Sequence, residues 1–78
     1  MRDHLISPRA IERLADLNAT DAELKVIEEQ IAFLAKDPTL GYPLPFSGPG
    51  KLRRYDVGRF GLIYKYNDAR VEVVTVVR

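Results

Sequence analysis

The spacing of hydrophobic residues changes at about residue 51. Between residues 8 and 36 the apolar side chains recur every three or four positions, which is the repeat of an amphipathic helix. From residue 51 onward apolar and polar positions alternate, and β-branched residues become common, as in a strand. The pattern predicts helices in the first part of the chain and strands in the last.

Two helices are predicted from their end signals. Ser7 followed by Pro8 places an N-cap residue before a proline at the first helical position, which predicts a helix over Pro8–Leu17. Thr20 and Glu23 have the spacing of a capping box, and they predict the start of a second helix. That helix ends at Asp37-Pro38, because proline cannot continue the hydrogen-bond ladder. The pair forms a helical hairpin.

The segment 37–50 is predicted to be an irregular loop, because it holds four of the five prolines and three of the five glycines. Apolar residues alternate through it, so we expect the loop to lie against the body of the domain. These residues are Leu40, Tyr42, Leu44 and Phe46.

Four strands complete the prediction. A short extended segment, His4–Ile6, precedes the helices, and three strands follow the loop, at Lys51–Val57, Phe60–Tyr66 and Arg70–Val77. The chain therefore reads β-α-α-β-β-β as a single α+β domain over residues 1–78. We expect the helical hairpin to pack on one face of a small antiparallel sheet and to leave the opposite face for function.

Alternation assigns side chains to the two faces of this sheet. In the strand 60–66, Phe60, Leu62, Tyr64 and Tyr66 form the core set, and the other set holds Gly61, Ile63 and Lys65. Arg54 of the preceding strand falls on the same side as Lys65, which predicts an open, basic surface. Gly61 lies in the interior of a strand, where a glycine packs no side chain and weakens the strand, so its presence requires an explanation.

Composition excludes several classes of site. The chain has no cysteine and one histidine, which rules out a disulfide framework, a thiolate metal site and a histidine-rich metal cluster. We expect no metal and no cofactor. No apolar run reaches the length of about 20 residues that a membrane span needs, and the first residues are too polar for a signal peptide. A cytoplasmic protein is expected.

Charge is distributed unevenly along the chain. Residues 1–50 carry five basic and eight acidic residues, whereas residues 51–78 carry seven basic and three acidic ones. A basic C-terminal part suits a phosphate or an acidic partner, although a solvated face gives the same count in many small proteins.

Several strings in this order resemble one protein family. ISPRAIERLADL, the Pro/Gly loop and the motifs Leu52-Arg53-Arg54, Val57-Gly58 and Leu62-Ile63-Tyr64 are similar in place and order to the RelE/ParE toxin superfamily of bacterial type II toxin-antitoxin systems. The resemblance covers nearly the whole chain. It implies a toxin that is neutralised by a cognate antitoxin, whose acidic residues are expected to meet Arg53, Arg54 and Arg59 over the hairpin or the open face.

Members of the superfamily that the chain resembles act on different targets. RelE-like members cleave mRNA on the ribosome without a metal, by using basic side chains to stabilise the phosphate and move protons. The leading expectation is such an endoribonuclease, with catalytic residues Arg54, Arg59, Lys65 and Arg78 and with RNA-binding residues Lys51, Arg53 and Arg54. The alternatives are a ParE-like inhibitor of DNA gyrase and a weakened homologue that mainly binds its antitoxin.

The chain departs from the family pattern at one strand position. The arginine of that pattern falls on Gly61, so Gly61 is interpreted as marking an absence, and replacing it with arginine is expected to increase RNA cleavage. In many RelE-like chains the last strand is followed by a tail that carries further catalytic groups. At the position that follows the last predicted strand, this sequence has Arg78.

Overall fold

A computed structural model of the chain describes residues 2–45 and 51–78. The elements are β1 (Asp3–Ile6), α1 (Pro8–Asp16), α2 (Asp21–Lys36), a 3-10 turn (Pro38–Leu40), β2 (Tyr42–Pro43), β3 (Arg53–Val57), β4 (Phe60–Tyr66) and β5 (Arg70–Val77). Both predicted helices are confirmed, and β4 and β5 have the predicted bounds. The α+β fold class is confirmed as two helices on a five-stranded sheet.

The helix starts are stabilised as their sequences predict. The Ser7 hydroxyl accepts a hydrogen bond from the Ala10 amide at 3.1 Å and donates one to the Val74 carbonyl at 2.6 Å, which ties the start of α1 to β5. At α2 the capping box is complete. The Thr20 hydroxyl accepts from the Glu23 amide at 3.1 Å, and the Glu23 carboxylate accepts from the Thr20 amide at 3.0 Å.

The strand order is β1-β5-β4-β3-β2. Strands β2 to β5 pair antiparallel with their neighbours, but β1 runs parallel to β5, so the sheet is mixed rather than antiparallel throughout. A hairpin forces its strands to be antiparallel, whereas β1 reaches β5 through almost the whole chain, and this long connection allows the parallel direction.

The loop prediction was wrong for part of the segment 37–50. The 3-10 turn and β2 lie within it, and β2 pairs Tyr42 with Arg54 at the sheet edge. Leu40 and Tyr42 are about half exposed, so the segment is held against the domain by the buried Pro38 and Gly41 instead. Phe46 lies outside the described residues.

The core lies between the helices and one face of the sheet. It contains Ile27, Ile31 and Leu34 from α2 and the inward-facing side chains of β4 and β5, namely Phe60, Leu62, Tyr64, Val71, Val73 and Val76. The predicted core set of β4 is thus confirmed, except that Tyr66 at the strand end is 39% exposed. The sheet face away from the helices is left uncovered by the described elements.

Candidate functional site

The open face is the side of the sheet that points away from α1 and α2. Cross-strand register brings together its side chains from five strands, because directly opposed residues point to the same side. They are Asp3, Leu5, Tyr42, Arg54, Asp56, Gly61, Ile63, Lys65, Arg70, Glu72, Thr75 and Val77.

Arg54 lies flat across the open face, directly over Gly61. Its Nε donates a hydrogen bond to Asp56 Oδ1 at 2.7 Å. A Cβ atom added at Gly61 would lie 2.6 Å from Arg54 Nε and 2.7 Å from Cζ, closer than carbon atoms approach these groups. Gly61 therefore makes room for the guanidinium of Arg54. The sequence interpretation, in which Gly61 marked only an absence, was incomplete for this reason.

The ion pair with Asp56 further stabilises the charged form of Arg54. The hydrogen bond that Arg54 donates to Asp56 raises the pKa of the guanidinium above its ordinary value, and the negative charge of the carboxylate acts in the same direction. Arg54 is consequently a permanent cation on this face, and its side chain is only 29% exposed.

Lys65 is the second basic residue of the open face. It is exposed, and the strand register places it opposite Glu72 of β5. A shallow polar depression beside it is lined by Lys65, Tyr66, Asn67, Arg70 and Glu72. Each predicted cation of the open face thus has a carboxylate nearby, since Asp56 pairs with Arg54 and Glu72 opposes Lys65.

Arg53 points to the other side of the sheet and holds the loop that precedes β2. Its Nη2 donates to the Gly41 carbonyl at 2.7 Å. Beside it, the Tyr64 hydroxyl donates to the Pro38 carbonyl at 2.6 Å and accepts from the Gly41 amide at 3.0 Å. Burial raises the pKa of this hydroxyl, which stays protonated and keeps donating. The structure gives Arg53 a structural role at this buried polar cluster.

Arg59 lies at the β3–β4 turn and is bound to the helical layer. Its Nε and Nη2 donate to the two carboxylate oxygens of Glu23 at 2.8 and 3.0 Å, and Nη2 also lies 3.2 Å from the Asn18 carbonyl. The guanidinium stacks 4.5 Å from the centroid of the Phe60 ring. Arg59 is therefore not brought together with Arg54 and Lys65.

The remaining predicted residues lie at the margins of the described structure. Lys51 is exposed, with a positive φ of 44°, and Arg78 is exposed after the end of β5. Of the predicted catalytic set, only Arg54 and Lys65 share the open face. Within residues 2–45 and 51–78, the acidic residues and His4 form no cluster that could hold a metal ion.

Residues 5–78 match the family model described as ParE toxin of type II toxin-antitoxin system, parDE. The chain belongs to the ParE toxin family. It is accordingly the toxin of a type II toxin-antitoxin system, and membership implies a cognate antitoxin as its partner. No curated protein matches the sequence significantly. In the part of this ParE-family toxin that the structure describes, no helix is long and apolar enough to cross a membrane.

A second surface feature of the toxin lies on its helical side. Val26 and Phe33 of α2 are about half exposed. Next to Val26, an apolar depression of about 260 Å³ lies between α2 and the β3–β4 hairpin. Its lining is Ala22, Glu23, Val26, Ile27, Val57, Gly58 and Phe60. Exposed apolar area of this kind is typical of protein-binding surfaces.

The Arg59–Glu23 pair is expected to make the toxin's free energy of unfolding decrease in acid. The hydrogen bond from Arg59 lowers the pKa of Glu23 from 4.5 to about 2. A carboxylate with a depressed pKa in the folded state stabilises the fold above its unfolded pKa, and this contribution is lost as the pH falls from about 4.5 to about 2. We expect Glu23→Gln to flatten the pH dependence of the free energy of unfolding in this window, as measured by urea titrations.

Salt and a neighbouring glutamate provide the controls. Both partners are partly exposed, so the effect should shrink in high salt. Glu28→Gln changes an exposed glutamate of the same helix and should leave the slope as it is in the parent toxin. An unchanged slope in Glu23→Gln would contradict the assignment.

The sequence interpretation did not identify Asp56 as part of the site. Asp56 follows Arg54 by two positions in a strand, and this spacing puts both side chains on one face. The sequence therefore contained a signal for Asp56. It contained none for the contact between Arg54 and Gly61, because that contact depends on the register between β3 and β4, which opposes Asp56 to Gly61.

Proposed function

We propose that this toxin acts by binding and inhibiting DNA gyrase, and that it does not cleave mRNA on the ribosome. The observation that carries the proposal is the separation of the expected catalytic residues. Arg59 is engaged by Glu23 on the helical side, whereas Arg54 and Lys65 lie on the open face beside Asp56 and Glu72. Membership of the ParE toxin family supports the same conclusion.

Metal-independent RNA cleavage makes demands that this face meets poorly. The 2′-hydroxyl must lose a proton to a base, and positive groups must surround the phosphate as its charge develops. Asp56 beside Arg54 and Glu72 opposite Lys65 repel a phosphate and offset the attraction that these two expected catalytic cations exert. A protein target has no such requirement, because its surface can present groups that match both signs of charge.

Two parallel assays test the proposal. Purified toxin is titrated into gyrase with relaxed plasmid and ATP, and in a second reaction into ribosomes translating a defined mRNA. We expect supercoiling to be lost and the mRNA to stay intact. Relaxation of supercoiled plasmid by a type I topoisomerase is the control and should be unaffected. Full supercoiling at a large molar excess of toxin would overturn the proposal, whether or not the mRNA is cut, and mRNA cleavage would restore the endoribonuclease alternative.

A further inference from the structure

Helix α2 is apolar on two opposite sides. Its inner side packs on the sheet through buried residues such as Ile27 and Ile31. Its outer side carries three exposed apolar residues at spacings of four and seven positions, which place them in one line along the helix. They form the outer stripe of α2, namely Ala22, Val26 and Phe33. Because a helix that is apolar all round is normally covered on every side, the outer stripe indicates a contact surface for a further protein.

The two ends of the outer stripe complement each other in size. Ala22 lines the apolar depression of about 260 Å³, together with the buried side chains of Ile27 and Phe60. Phe33 lies about three turns further along the helix, with 53% of its surface exposed. A cavity of about 150 Å³ accommodates benzene, so the depression is large enough for a phenylalanine ring. A second copy of the same helix, running in the opposite direction, would supply that ring.

One antiparallel register joins the two ends. If Phe33 of each copy lies opposite Ala22 of the other, the two-fold axis crosses the helix pair between positions 27 and 28. The Val26 side chains of the two copies then lie about 4.5 Å apart along the helix axis, on either side of the two-fold axis. The whole outer stripe is covered in this arrangement.

The same register brings opposite charges together. Lys25 and Glu29 lie on one flank of the outer stripe, and both are exposed. Two-fold symmetry brings this flank of both helices together, and Glu29 of each copy comes within one position of Lys25 of the other. Within residues 2–45 and 51–78 neither side chain takes part in an ion pair, so both charges are available for a contact between copies.

We propose that the outer stripe of α2 binds a second copy of the toxin, in an antiparallel helix pair in which Phe33 of each copy enters the depression beside Ala22 of the other. The inference goes beyond the proposed function, because it concerns the free toxin and involves neither gyrase nor RNA. Each copy contributes little more than one helix face, so the contact is small. We therefore expect a weak dimer, with a Kd of about 10–100 µM.

Sedimentation equilibrium of the purified toxin, over concentrations that span this Kd, tests the proposal. We expect the mean mass to rise from monomer to dimer and no further, because a two-fold contact closes on itself. Phe33→Ala should weaken association about tenfold or more, since it removes the aromatic residue that fills the depression. Leu5 is also about half exposed but lies in β1 on the open face, so Leu5→Ala should associate as the parent does.

Reversing single charges tests the register. Lys25→Glu and Glu29→Lys should each weaken association about fivefold, because each brings like charges together at two symmetric positions. An equimolar mixture of the two variants should associate as strongly as the parent, since one chain then supplies two glutamates and the other two lysines. Glu12→Lys reverses an exposed charge on α1 and should leave association unchanged.

Three results would overturn the proposal. The first is a toxin that stays monomeric across the concentration range, which would leave the antitoxin as the protein that covers the outer stripe. The second is a dimer that Phe33→Ala does not weaken, and the third is a mixture of charge variants that associates no better than either variant alone. The substituted side chains are exposed, and far-UV circular dichroism will show that each variant is folded. The gyrase assay is independent, so either result can fail while the other stands.

Discussion

Replacing Gly41 with alanine is expected to lower the free energy of unfolding by about 2–3 kcal/mol. An added Cβ would lie 2.5 Å from the Tyr64 hydroxyl oxygen and 2.6 Å from the backbone carbonyl oxygen of Arg54. Neither atom can move freely, because Tyr64 is fully buried and the carbonyl belongs to β3. The new methyl group must therefore push the loop outward and break the hydrogen bonds of Gly41 with Tyr64 and Arg53. Urea denaturation of the parent and the variant measures the loss.

Gly61→Ala is the matched control, since it adds the same methyl group. The contacts it creates are with a flexible side-chain end, so we expect a change within about 0.5 kcal/mol. A second check uses Tyr64→Phe as the background, in which the oxygen that Gly41→Ala would meet is absent. There the Gly41 substitution should cost less than in the parent. Equal destabilisation by the alanines at 41 and 61 would show that the buried polar cluster does not constrain the loop.

Leu34→Ala is expected to cost about 3 kcal/mol, because it leaves a cavity where α2 packs on the sheet. Leu34 is completely buried, and a domain of this size has a total stability of roughly 4–12 kcal/mol. The substitution therefore removes a large fraction of the stability and should lower the thermal midpoint markedly, as followed by far-UV circular dichroism.

The neighbouring residue supplies the control for this substitution. Phe33 is larger than Leu34 but 53% exposed, and it lies next to Leu34 in the same helix. Phe33→Ala should cost less than about 1 kcal/mol, because little apolar area returns to water. If Phe33→Ala were the more damaging of the two, the assignment of the faces of α2 would be wrong.

The features that could be predicted from sequence are those decided by neighbouring residues. Ser7-Pro8 and the Thr20 capping box mark helix starts within one turn, and alternation in 60–66 assigns the two faces of β4 without reference to other strands. Proline at position 38 ends α2 for an equally local reason. These elements carry most of the α+β fold.

The rest depends on which distant residues meet. The parallel pairing of β1 with β5 and the short β2 arise from tertiary contacts that no local pattern encodes. The candidate site behaves in the same way. Arg59 was predicted to be a catalytic residue, but its charge is engaged by Glu23, 36 residues earlier in the chain. Whether a cation is available to bind a ligand depends on which residues pair with it, and those pairs are seen only in the folded structure.

The parallel pairing of β1 and β5 also has a consequence for synthesis. The first strand has its only partner in the described structure at residues 70–77, and the start of α1 is tied to the same strand through Ser7 and Val74. Contacts between such distant parts of a chain form late and slow the folding of small domains. A nascent chain consequently cannot complete its sheet until β5 has been made and has left the ribosome. The toxin should therefore become competent to act only after residues 70–77 have emerged, which leaves an interval in which its antitoxin can already be present.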